Sequence, residues 1–339
     1  MRYQLTPKTI FLTIGLLLAL ILPLLFGKNQ YTTLLATNVL LYATLGTAWN
    51  IIGGMGGQFD LSAGAYLGIG SFVVGTLLIR FGFSPWITMF LGALIAVGLS
   101  LMVGLPLFRF KVREVWYALA SAALVEVLRV LFIMWEEVGG ATERFLPMYY
   151  DDFSKFTHMR FSSYVPYYYI LLAMLIFAYL VNVRIRKTRL GYSLLALSEE
   201  EDAAAVLGVN VRLSKIKALM TYAFIVGLVG GVDVCIKGNL HASSFNAVQS
   251  TEVAILGIVG GIGITHGPLL AALFMVSIRE LLRAQLGGGM EGLYMVIYAV
   301  VLILIAIFRP DGIAGILESI YNRIKPKISE ENNGRLSDA

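Results

Sequence analysis

The chain is written in long apolar blocks: Ile10 to Phe26, Tyr31 to Ile52, Leu61 to Ile79, Trp86 to Phe108, Val115 to Met134, Tyr164 to Val183, Ala218 to Ile236, Thr251 to Leu282 and Leu293 to Phe308. Polar or glycine-rich joints separate them. A helix rising about 1.5 Å per residue needs roughly 20 apolar residues to cross about 30 Å of hydrocarbon, and most blocks have that length. Lipid offers no hydrogen-bond partner, so a spanning backbone is helical or belongs to a closed barrel. Barrel strands alternate apolar and polar residues, and these blocks do not. The pattern predicts an all-α, polytopic bundle of transmembrane helices.

Composition strengthens the prediction. Hydrophobic residues make up 58% of the 339 positions and charged ones 14%, against about a quarter charged in a soluble domain. The first block follows Arg2 and Lys8 as a secretory signal would, but Gly27 and Lys28 after it form no small-residue cleavage pattern, so it reads as a retained span. The single cysteine, Cys235, excludes an intramolecular disulfide and argues against a metal cluster; no metal ligand set is expected. The net charge of +5 sits mainly at block ends, where it sets orientation, so nucleic acid is not expected as a partner.

The joint 184–217 carries Arg184, Arg186, Lys187, Arg189, Arg212, Lys215 and Lys217 and is expected on the cytoplasmic side. Arg2 and Lys8 at one end, and Arg309, Arg323, Lys325, Lys327 and Arg335 at the other, place both termini there too (N-in, C-in), which requires an even number of crossings. The nine blocks break parity. Thr251 to Leu282 is too long for one span, and the run Gly260-Gly261-Ile262-Gly263-Ile264-Thr265-His266-Gly267-Pro268 interrupts it. Dividing it there gives ten spans if both halves cross, or eight if they form a re-entrant hairpin. The expected organisation is one membrane domain over residues 1–320, containing the cytoplasmic loop 184–217, and a polar cytoplasmic tail over 321–339.

The run Ile51-Ile52-Gly53-Gly54-Met55-Gly56 matches Ile258-Val259-Gly260-Gly261-Ile262-Gly263 in kind: an apolar pair, two glycines, an apolar residue and a glycine. Paired glycine-broken helices point to an internal repeat whose breaks line a substrate path. Close packing through small residues is the alternative. The candidate path residues are Gly53, Gly54, Gly56, Gly57, Asp60, Gly260, Gly261, Gly263, His266 and Gly267. Among ionisable residues in or near spans, Glu126 and Arg129 are three apart and read as a structural ion pair. Asp60 and Asp233 lie near span ends, and His266 reads as a loop residue. There is no phosphate-binding G-x-x-x-x-G-K-[ST], no H-E-x-x-H and no convincing nucleophile–base pair, so no catalytic residues are expected. If transport here uses ATP, another polypeptide must bind it.

Within the basic loop stands an acidic run, Ser198-Glu199-Glu200-Glu201-Asp202-Ala203-Ala204-Ala205-Val206-Leu207-Gly208. Ser198 is placed to cap a short helix with acids in its first turn, suiting the helix dipole, and Gly208 is placed to end it. Glu199, Glu200, Glu201, Asp202, Ala203, Ala204 and Gly208 are the candidate docking surface for a second protein.

This loop resembles the coupling segment of ABC importer permeases, and the whole chain resembles the branched-chain amino acid permease family. The similar stretches are Gly57-Gln58-Phe59-Asp60-Leu61-Ser62-Ala63-Gly64-Ala65-Tyr66-Leu67-Gly68-Ile69-Gly70, Leu190-Gly191-Tyr192 before the acidic run, Gly260 to Pro268, and Phe308-Arg309-Pro310-Asp311-Gly312. The resemblance implies a multi-pass permease of a prokaryotic inner or plasma membrane that pairs with a second, similar permease. It implies two ATP-binding cassette subunits, which carry ATP and magnesium while this chain binds no cofactor, and an extracytoplasmic solute-binding protein that delivers substrate. Glu201 to Gly208 then contact the ATPase, although Asp202-Ala203-Ala204 stands where a glutamate before two alanines is common. The acidic outer loop Trp135 to Ser163 then faces the binding protein. Branched-chain or other amino acids, urea and short amides are the expected cargoes. A secondary transporter driven by an ion gradient is the rival from another class.

Overall fold

The computed structural model describes residues 19–23, 29–112, 114–138, 140–286, 296–300, 312, 313 and 315. Both outermost apolar blocks, Ile10 to Phe26 and Leu293 to Phe308, the tail 321–339 and the termini therefore lie wholly or mostly outside the described residues. The rest is a bundle of helices with one two-residue strand pair. The order is α1 Gln30–Trp49, continued by a π-helical segment Asn50–Met55, then α2 Ala63–Phe81, α3 Pro85–Arg109, α4 Glu114–Met134, β1 Arg144–Phe145, α5 Asp152–Thr157, α6 Val165–Arg186, α7 Arg189–Glu199, α8 Glu201–Val206, α9 Val211–Lys237, β2 Asn239–Leu240, α10 Ala247–Gly260 and α11 Gly267–Leu286. Among the described residues, six helices are long and apolar enough to cross a membrane: α1 with its π segment, α2, α3, residues 115–134 of α4, α6 and α9.

The caps are those the local sequence dictates. The Asn29, Asn210 and Asn246 side chains accept hydrogen bonds from backbone N–H groups in the first turns of α1, α9 and α10. Pro85 opens α3, where its missing N–H costs nothing. Gly82 and Gly238 end α2 and α9 in the left-handed conformation.

The centre of the bundle is α9 crossing α2 and α3. A methyl group on Gly70 would lie 2.1 Å from the Gly227 carbonyl oxygen, and one on Gly230 would lie 2.2 Å from that of Leu67. The backbones therefore touch, as small residues allow between helices where lipid removes the hydrophobic drive to associate. Cys235 is fully buried in this packing. Asp233 is buried too and is neutralised by Lys237 one turn on, at 2.6 Å.

The connections sort the two ends of the bundle. At one end β1 pairs antiparallel with β2, and the loop 135–163 is pinned to the end of α9: Arg160 and Tyr167 both donate to the Cys235 carbonyl, at 2.9 and 3.1 Å. At the other end lie α7, α8, the turn after α3 and both glycine clusters. The long block Thr251 to Leu282 is divided at Gly261–His266 into α10 and α11.

α10 has only 14 residues, about 21 Å of helix. Its start packs on α2 on one side only: the capping Asn246 lies against Gly64 and the Ser250 hydroxyl accepts from the Gly64 N–H at 2.7 Å, while Val248 stays exposed.

One charged group deep in the bundle escaped the sequence reading. Arg279 of α11 pairs with Glu252 of α10 and with Glu280, at 2.5 and 2.9 Å, and its guanidinium lies 4.4 Å from the centre of the Tyr42 ring of α1. All three charged side chains are less than a fifth exposed. Removing one member of such a group strands the others in a poorly solvated place, so Arg279→Met should cost about 3–5 kcal/mol. Heat unfolding in detergent should show this as a lowered midpoint, partly restored by adding Glu252→Leu.

Candidate functional site

The loop expected to dock a partner is two helices separated by a break rather than one. Ser198 does not cap the acidic helix: its hydroxyl donates back to the Leu195 carbonyl, and α7 runs on to Glu199. The break falls at Glu200, which is extended (φ −155°, ψ 110°) and leads into α8. The reason is packing. α7 buries Leu194 and Leu197 against the bundle, and that apolar stripe outweighs the preference of serine for a cap.

α8 is held by Glu201, whose carboxylate accepts from Lys215 of α9 at 2.6 Å, both side chains being largely buried. Ala204 points inward and is buried, while Val206 and Leu207 are 88% and 85% exposed. Gly208 follows at φ +89°, a conformation costly to any side chain. Glu199, Glu200, Asp202 and Ala203 are exposed beside them. The sequence reading singled out the alanines and acids as a candidate surface; beside them the structure exposes two large apolar side chains, Val206 and Leu207.

Directly beneath α7 the two glycine clusters meet. Gly53 and Gly54 lie in the π segment, whose extra backbone residue per turn leaves room for the Trp49 indole. That ring fills the space where a side chain on Gly53 or on Gly257 of α10 would stand, 2.3 and 2.2 Å away, and its N–H donates to the Asp60 carbonyl at 2.8 Å. Trp49 thus joins the first break to the helix leading into the second. The Gly54 and Gly263 backbones are in contact, and Asn50 reaches the Ile264 carbonyl at 3.5 Å. Gly260 abuts Gly267 across the second break. His266 is half-buried at the start of α11.

The glycines also seat α7. Gly56 faces Leu194, and a side chain on Gly57, at φ +63°, would strike the Ser198 backbone at 2.8 Å. Between them opens a cleft of about 480 Å³ lined by Trp49, Phe59, Arg186, Glu199, Ile262 and the glycine backbones.

The breaks stand at the α7–α8 end of the bundle. They also do not both present helix N-termini: the first is the C-terminal end of α1, which presents carbonyl groups, and at the second only Gly267 opens a helix.

The Asp60 side chain points to different partners from its carbonyl. Its buried carboxylate accepts from the Ser62 N–H at 2.8 Å, the Ser62 hydroxyl at 2.5 Å and the Tyr117 hydroxyl at 2.8 Å. This ties the entry of α2 to α4. The Tyr222 hydroxyl, also fully buried and close to Tyr66, has no hydrogen-bond partner. Glu126 and Arg129 form a 2.8 Å pair on the exposed apolar side of α4. Among the described residues no group of three or more His, Cys, Asp or Glu side chains is arranged to hold a metal.

A family model described as "Branched-chain amino acid transport system / permease component" matches residues 31–306. The chain is 25% identical over 327 residues to the high-affinity branched-chain amino acid transport system permease protein LivM of Escherichia coli, covering 90% of this chain and 75% of that one. It is 26% identical over 271 residues to a probable branched-chain amino acid transport permease protein LivH of Methanocaldococcus jannaschii, covering 76% and 83%. It is 24% identical over 284 residues to the fructose import permease protein FrcC of Rhizobium meliloti, covering 81% and 76%. No solved structure matches.

Proposed function

Because the chain belongs to the family of branched-chain amino acid transport permeases, we propose that it is the membrane-spanning subunit of an ATP-driven importer. In this reading it lies in a prokaryotic inner or plasma membrane. It pairs with a second permease, receives amino acids, chiefly branched-chain ones, from a solute-binding protein, and is driven by two ATP-binding cassette subunits carrying ATP and magnesium.

The observation that carries the reading is α8. Val206 and Leu207 stand exposed at the end of a basic-flanked loop, on a helix anchored by an ion pair rather than left mobile. Two large apolar side chains facing water on a fixed helix suit insertion into a partner's groove.

The proposed crossing number is ten. In this reading the six long helices alternate direction, α10 with the partly buried segment 238–246 before it makes a further crossing, and α11 returns. Apolar length in the sequence assigns the remaining two crossings to Ile10 to Phe26 and Leu293 to Phe308, and the basic residues beyond them favour the side of α8. The permease itself does no chemistry. Nucleotide-dependent movement of the ATPases shifts the population of bundle states through α8.

Reconstitution separates this from a gradient-driven carrier. Liposomes holding the two permeases with the ATPase and binding protein should accumulate labelled leucine only with ATP inside. Leucine uptake by the permeases alone, driven by a proton or sodium gradient, would refute the proposal.

A further inference from the structure

We propose that Arg186 is the positioning residue that carries movement of the docking segment to the second helix break, so that seating α8 on its partner sets how α10 meets α11. The inference rests on the docking role proposed above and goes beyond it by naming the route into the bundle.

The route is continuous in atoms. Arg186 is the last residue of α6, and α7 folds back on it so tightly that a side chain on Gly191 would lie 2.3 Å from the Ile185 carbonyl oxygen and 2.7 Å from the Arg186 Cα. α7 and the end of α6 therefore move as one piece. From that piece the Arg186 guanidinium reaches across 77 positions of sequence to donate to the Gly263 carbonyl at 2.9 Å, and it approaches the Thr265 hydroxyl at 3.4 Å.

Gly263 lies just beyond the C-terminus of α10, where unpaired carbonyls and the negative end of the helix dipole gather. A planar cation with several donors suits that place. Gly261 and Gly263, at φ +111° and +74°, hold the break in conformations open to glycine and bring no side chains of their own to fix its shape. Fixing it falls to its neighbours. Asn50 meets the Ile264 carbonyl from the first break at a long 3.5 Å, whereas Arg186 makes the shorter, charged contact from the side that leads to α8.

A purely structural role for Arg186 would make its loss lower folding and every activity together. Transmission predicts a split. In the full complex in liposomes, Arg186→Gln should leave ATP hydrolysis within about twofold of wild type while leucine uptake falls by on the order of tenfold or more. Arg186→Lys, a point charge without the fork, should recover part of the uptake, and Thr265→Val should lower the ratio of uptake to hydrolysis only slightly. A substrate-independent readout uses nitroxides at Phe81 and Ile262, both exposed and near opposite ends of the bundle. Their separation should change on nucleotide binding in the wild type and stay fixed in Arg186→Gln. Hydrolysis and uptake falling in parallel in both Arg186 variants, or an unaltered nucleotide-dependent distance change in Arg186→Gln, would overturn the proposal. Wild-type permease that does not bind the ATPase would instead overturn the docking reading, which pull-down before reconstitution reports separately.

Discussion

The double substitution Val206→Asp, Leu207→Asp should disconnect the permease from its ATPase. Full burial of a large aliphatic side chain is worth about 1.5–3 kcal/mol, so losing two at the centre of a contact weakens binding by at least on the order of a hundredfold, and placing carboxylates there adds a desolvation penalty. The permease itself should fold normally, because both side chains are more than four-fifths exposed and touch little of the bundle. Pull-down of the ATPase and ATP-dependent uptake should both be lost while the melting curve in detergent is unchanged. Ala204→Asp should behave differently. Ala204 is buried on the inward face of α8, so a charge there should dislodge the helix and lower stability as well as binding. Retained ATPase binding in the double variant would move the docking site elsewhere.

Gly260→Ala should stop transport with a single added carbon. That carbon would lie 2.3 Å from the carbonyl carbon of Gly267 and 2.4 Å from its oxygen. The obstacle is backbone on the far side of the break, not the flexible end of a side chain, so α10 and α11 must separate to accept it. A shift that disfavours the closed arrangement by about 1.4 kcal/mol already changes its population tenfold, and backbone overlap of this depth costs more. Uptake should fall by at least that factor. The ATPase should still bind, since α8 is anchored by Lys215 of α9 and not by the break. Alanine at Gly98, where nothing lies within 4 Å, is the control that should change neither. Normal uptake by Gly260→Ala would show that the two helices have slack at this point.

The two substitutions probe opposite ends of one line, from the surface helix through α7 to the glycine clusters. Gly57 against Ser198 and Arg186 against Gly263 are its two crossing points. An inward motion of α7 can therefore reach both breaks without a rearrangement of the α2–α9 core, whose backbone contacts leave little freedom.

Much of this was legible in the residues alone. Apolar length and the absence of alternation determined a bundle of membrane helices, because hydrocarbon imposes the same demand on every span regardless of its neighbours. The interruption at Gly260–Pro268 determined a helix break, because glycine and proline act through their own backbone. The acidic run with Gly208 marked a short exposed helix for similarly local reasons. What failed was what depends on distant residues. Ser198 has the chemistry of a cap, yet Leu194 and Leu197 packing on the bundle carried α7 past it. Arg279, Glu252 and Glu280 look forbidding in a membrane segment until Tyr42 and the two helices surround them. Only the tertiary structure could place the two glycine clusters against each other and under α7, since the similarity of two short runs fixes their local shape and not their separation. The same holds for Trp49 across Gly53 and Gly257 and for Arg186 on Gly263: local conformation follows from each residue and its near neighbours, whereas contacts over scores of positions are decided by how whole helices pack.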